Sequence, residues 1–129
     1  MQRLKFSTEV VNKSWIIRLG GFVGAANAGS LREKLMRAAD ASGSVVLLDL
    51  SGVREMDSAG VAVLIELHQR LRKDHKLMAL VAESESARQV LELLQAHDVV
   101  CDVFSTLEEG IKKTSKLRVA GIPPTPSKS

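Results

Sequence analysis

Few side chains in this 129-residue sequence stand where they could do chemistry, and the best placed is Ser58, in Asp57-Ser58-Ala59-Gly60. The run before it, Val45-Val46-Leu47-Leu48-Asp49, is apolar and rich in β-branched residues. Residues 51–56 read as a loop, and Ser58 opens a long helical pattern. The order is buried strand, loop, helix N-terminus. It puts a hydroxyl at the positive end of a helix, where backbone N–H groups lack partners. Two readings follow from the residue types. Asp57 and Ser58 are both good helix caps, worth about 1 kcal/mol each at most, with Gly60 allowing close packing of helix on sheet. Alternatively, Ser58 is a regulatory phosphorylation site. A phosphoserine carries about −1.5 to −2 charge at neutral pH, which a helix N-terminus tolerates. The fold need not change, yet a partner that desolvates Ser58 then meets an uncompensated charge.

Other chemistry finds little support. His68, His75 and His97 lack metal-ligand spacing, and no G-x-x-x-x-G-K-[ST] phosphate loop is present. No catalytic constellation emerges, so an enzyme is not expected. His68 reads as a helix-surface residue. Cys101 excludes an intramolecular disulfide, because it is the one cysteine, and its setting in Val99-Val100-Cys101 favours a buried, inert thiol.

The elements that must position Ser58 follow from periodicity. Residues 4–11 alternate, with Leu4, Phe6, Thr8 and Val10 on one side, as in a half-buried strand. A turn at residues 12–14 leads to a second strand over residues 15–19, which Gly20, Gly21 and Gly24 end. A helix follows, capped by Asn27 or by Ser30 with Glu33 as a capping box, with Leu31, Leu35 and Ala38 on one face. The strand at Val45 is continuously apolar, as in a sheet covered on both faces. The helix from Ser58 runs to about Lys73 with Gly60, Val63, Leu64, Leu67 and Leu71 as its core stripe. Ser58, Ala62, Ile65 and Gln69 share a second face, flanked by Val61 and His68, on which a partner could dock. Residues 77–81 form another strand. Ser84 or Ser86 caps a helix with Ala87, Val90, Leu91 and Leu94 on one face. Residues 99–104 form the last strand, and Thr106 with Glu109 opens a short helix carrying Leu107 and Ile111. The order β-β-α-β-α-β-α-β-α predicts one α/β domain: a mixed sheet with mostly parallel central strands and about four helices.

Composition agrees with that class. The chain is 45% hydrophobic and 26% charged, enough for a core without disulfides or metal. Four aromatic residues, one Trp and three Phe, argue against single-stranded nucleic-acid binding by stacking. The formal charge of +3 and pI near 9.2 owe much to Lys112, Lys113, Lys116, Arg118 and Lys128, read as a solubilising tail and not as a nucleic-acid or membrane surface. The domain is set at residues 1–114 and a disordered tail at 115–129, where Pro123-Pro124-Thr125-Pro126 cannot build a core. With no signal-peptide core and no apolar run near the roughly 18 residues of a membrane span, a cytoplasmic location is expected.

Val45-Val46-Leu47-Leu48-Asp49-Leu50-Ser51-Gly52-Val53, followed by Met56-Asp57-Ser58-Ala59-Gly60, resembles the signature of STAS domains, and of the bacterial anti-sigma factor antagonists in particular. Ile17-Arg18-Leu19-Gly20-Gly21-Phe22 and Ala25-Ala26-Asn27 through Leu31 resemble the family's second strand and first helix. The similarity covers about residues 3 to 114, and Gly24 departs from the acidic residue that many relatives carry there. The resemblance implies partner switching. The unphosphorylated antagonist binds an anti-sigma factor, usually a serine kinase, and so frees a sigma factor. The kinase phosphorylates Ser58 and a serine phosphatase restores it. Asp57, Ser58, Ala59, Gly60, Val61, Ala62 and Ile65 would form the partner surface. ATP belongs to the kinase, and no cofactor, metal or direct nucleic-acid contact is expected for this chain. A binding module of a lipid-transport or stress-signalling complex, not controlled by phosphorylation, is the alternative.

Overall fold

The apolar run at Val45 forms the middle of a sheet covered on both faces. In a computed structural model, residues 3–11 and 14–119 are described, with backbone alone for 115–119. Strands β1 (Lys5–Val11), β2 (Ser14–Val23), β3 (Val45–Met56), β4 (Leu77–Val81) and β5 (Asp102–Phe104) lie side by side in chain order. β1 pairs antiparallel with β2, and the other three pairings are parallel. The helices are α1 (Ala28–Ala41), α2 (Ser58–Lys73), α3 (Glu85–Ala96) and α4 (Leu107–Val119). The mixed sheet and four helices match the expected α/β class.

The helices divide three against one. Val46, Leu48, Leu50 and Val53 of β3 face a core that includes Leu31 and Leu35 of α1, Val63, Leu64, Leu67 and Leu71 of α2, and Ala87, Val90 and Leu94 of α3. Leu47 points the other way, into a smaller core with Ile16, Ala79 and Val81, against which Leu107 and Ile111 of α4 pack. Alternate residues of one strand therefore meet helices on opposite sides, which is why the sequence is continuously apolar there. α4 lies close because Gly110 has no side chain; a Cβ there would come within 3.1 Å of both Leu47 methyls. The buried Ser14 hydroxyl bonds Thr114 Oγ1 at 2.7 Å, tying α4 to the start of β2.

Several expected boundaries move. Residues 51–56 are not a loop, because β3 continues to Met56 and β2 to Val23, and the two strands stay paired past the glycines, Gly20 with Gly52 and Val23 with Met56. The pairing shifts register between Arg18 and Gly20 and again between Gly21 and Phe22. There the backbones crowd: a Cβ on Gly52 would lie 3.3 Å from Gly20 Cα and one on Gly20 3.2 Å from Gly52 O. The glycines permit a bulge instead of ending the strands. β5 begins only at Asp102, since it pairs with just Ala79, Leu80 and Val81. Of the β1 alternation, Leu4 and Phe6 pack on the core, whereas Thr8 and Val10 are exposed. α1 starts before Ser30, so Ser30 and Glu33 form no capping box. α4 extends to Val119, five residues beyond the boundary set at 114; of the tail, residues 120–129 lie outside the described part.

Candidate functional site

Ser58 is the first residue of α2, and its position is set by Asp57. The Asp57 backbone N–H bonds Val23 O at 3.0 Å, continuing the β2–β3 ladder by one step. Its side chain then caps the helix: Oδ1 accepts from Ala59 N at 2.9 Å and Gly60 N at 3.3 Å. Oδ2 accepts from Ala25 N at 3.2 Å, in the turn between β2 and α1. Gly24 leaves room for this carboxylate, since a Cβ there would sit 2.6 Å from Oδ2. Asn27 braces the same turn, accepting from Gly24 N and donating to Phe22 O, both at 2.9 Å. Its side chain makes no bond to the helix it precedes. Gly60 seats the helix against the sheet, where a Cβ would lie 2.6 Å from Met56 Cγ and 2.8 Å from Val23 Cγ1.

Ser58 is exposed, and among the described residues its hydroxyl has no hydrogen-bond partner. Asp57 and Ala62 are exposed, and Ala59 and Ile65 half-buried. Two other expected partner-surface residues are out of reach: Gly60 is buried, and Val61 is only 4% exposed and belongs to the core. Ile65 also packs against that core. The accessible surface instead extends onto Phe22, 37% exposed, and onto exposed Ala25 and Ala26 of the β2–α1 turn. The sequence held no signal for this neighbourhood beyond the turn-forming glycines, because the Asp57–Ala25 contact joins residues 32 positions apart. One expectation about the helix terminus changes as well. Asp57 already takes the N–H groups of Ala59 and Gly60, and Val61 N bonds Asp57 O at 3.1 Å. The N–H donors at this helix end are largely occupied.

His68 is not a surface residue; it is 7% exposed. It faces a cavity of about 420 Å³ at the opposite end of the sheet, lined also by Leu71, Arg72, Leu77, Val100 and Cys101. Burial, then the charge of Arg72, lowers the His68 pKa below 6.5, and a hydrogen bond with the Val100 backbone only partly opposes this. The folded protein thus binds the imidazole proton less readily than the unfolded chain. Stability is full above pH 6.5 and is lost as pH falls through the folded-state value. The loss is at most about 1.4 kcal/mol per pH unit. Melting temperatures from pH 7.5 down to 5, about one unit above and more below the ordinary histidine value, should fall less steeply for His68→Gln than for the parent. Equal slopes would refute the assignment. Cys101 is half-buried, and burial followed by the Asp102 charge pushes its thiol up to about 11, so it stays protonated and unreactive near neutral pH.

No helix among the described residues is long and apolar enough to cross a membrane. The STAS domain family matches residues 5–110. Among similar solved structures is an anti-sigma factor antagonist from Mycobacterium paratuberculosis, 19% identical with a TM-score of 0.74, covering 86% of this chain and 93% of that one. The Bacillus cell fate determinant SpoIIAA in its phosphorylated form is 22% identical with a TM-score of 0.64, over 85% of this chain and 99% of that one. SLC26A9 is 15% identical with a TM-score of 0.69, over 84% of this chain but 20% of that one. These likenesses establish a shared fold. With the family match over most of its length, this chain belongs to the STAS domain family.

Proposed function

We propose that this protein is an anti-sigma factor antagonist that works by partner switching, with Ser58 as the phosphorylated residue. The observation that carries the reading is an exposed, unpartnered hydroxyl on the first residue of a helix that is fixed by other groups. Asp57, Val23, Met56 and Gly60 hold α2 in place without help from Ser58 Oγ, so the hydroxyl can be modified without cost to the fold. In its unmodified form the protein binds an anti-sigma factor that is also a serine kinase, which releases a sigma factor. The kinase transfers the γ-phosphoryl group of ATP to Ser58 Oγ; the hydroxyl proton is lost and ADP leaves. A serine phosphatase hydrolyses the ester and restores binding. Family membership and the fold shared with anti-sigma factor antagonists support this reading.

Incubation with the kinase and ATP, followed by mass spectrometry of the peptides, tests it. The expected result is one added phosphoryl group, on Ser58, and none on Ser58→Ala. An unmodified protein that still binds its partner would instead indicate a STAS module docking without phosphorylation.

A further inference from the structure

Asp57 does more at this helix end than cap it. Its Oδ1 spans the Ala59 and Gly60 N–H groups, its Oδ2 holds Ala25 N, and its carbonyl takes Val61 N. Of the first four backbone donors of α2, that leaves the N–H of Ser58 itself. An anion attached to Ser58 therefore finds the donors that would otherwise receive it occupied by another anion. We propose that Asp57 keeps a phosphoryl group on Ser58 out in solvent, as a charge that nothing in the protein neutralises. This rests on the reading of Ser58 as the modified residue and adds what decides the strength of the switch. If the phosphate could fold onto the helix terminus, it would be partly neutralised before a partner arrived. Held off by Asp57, it presents its full charge together with that of the carboxylate.

The surroundings do not replace the missing neutralisation. The β2–α1 turn carries no titratable residue between Phe22 and Ser30. Arg54 and Glu55, at the end of β3, are both exposed and of opposite sign, so together they bring no net charge to this end of the sheet. Farther along the same surface, Arg32 is paired with Glu66 at 2.9 Å. Asp57 is thus a positioning residue for the charge, and its influence is read in how the phosphate titrates.

The test uses full-length protein carrying phosphoserine at position 58 by genetic incorporation, so that it does not depend on any kinase. The second ionisation of the phosphate is followed by phosphorus NMR. In the parent, its apparent pKa should lie at or above the value of about 6 for a free phosphoserine. In Asp57→Asn and Asp57→Ser, each retaining a capping oxygen but not the charge, it should fall by about half a unit or more. In Asp57→Ala, which removes the capping oxygen as well as the charge, the amide signals of Ala59 and Gly60 should follow phosphate ionisation, and in the parent they should not. A parent pKa below that of free phosphoserine, or variants titrating with the parent, would overturn the proposal. Failure of the kinase to modify Ser58 would count against the partner-switching reading and leave this measurement standing.

Discussion

Ser58→Ala should bind the anti-sigma partner as tightly as the unmodified parent, while the phosphorylated protein should bind at least a hundredfold more weakly, about 3 kcal/mol or more. The size follows from what a partner must do at this site. To cover α2 it must desolvate Ser58 together with Asp57. With a hydroxyl this costs little. With a phosphate, two anions lose water while the helix-end donors are already engaged, and an unpaired buried charge costs several kcal/mol. Ser58→Asp should lie between the two, since it adds one charge and not two. Ala62→Arg offers a control on the same exposed face: binding should weaken while stability changes by no more than about 0.5 kcal/mol. Calorimetric titration against the kinase measures all four, and equal affinities for alanine, aspartate and phosphorylated forms would remove the switch.

Gly60→Val should be the most damaging single change near the site, costing about 3 kcal/mol of stability. Alanine in a helix is favoured over glycine by about 1 kcal/mol, so propensity alone would make Gly60→Ala stabilising. The packing argues the other way. A Cβ would lie 2.6 Å from Met56 Cγ and 2.8 Å from Val23 Cγ1, and Val23 is fully buried. The Met56 side chain can yield, but Val23 is fixed between sheet and helix. The clash should outweigh propensity for alanine, by about 1 kcal/mol net, and valine adds two more carbons with no propensity gain. Urea denaturation measures both. A valine variant as stable as the parent would show that α2 can lift off the sheet, and Ser58 would then not be rigidly placed.

How legible this was in the sequence differs by element. α2 was readable from Ser58 to Lys73 because its buried residues recur at helical spacing, and β3 was recognisable because both of its faces are covered. The extension of β2 and β3 was hidden. Gly20, Gly21 and Gly52 look like breakers, and only the bulge that pairs the two strands explains them. His68 was misplaced for a similar reason. One helical turn from Leu64 and Leu71 it sits at the margin of the apolar stripe, and its burial comes from the segment around Val100, which the helix pattern cannot reveal. At the site, Asp57 as cap and Ser58 as exposed hydroxyl were visible in four consecutive residues. Gly60 falls on the core stripe that helical spacing already marks, but the burial of Val61 and the approach of Ala25 to Asp57 depend on where the β2–α1 turn lies relative to α2. Local pattern carries no information about that.

The bond between Ser14 and Thr114 puts the middle of α4 beside the start of β2, while Gly21, next to Arg3, lies toward the end of β2 that pairs with the residues just before Ser58. The described chain thus begins near the end of the sheet that carries Ser58 and leaves from the other. A sensor chip or affinity resin that grips the molecule after α4 would leave Ser58 pointing away from the support, whereas attachment before β1 would crowd it against the matrix and mask its partners.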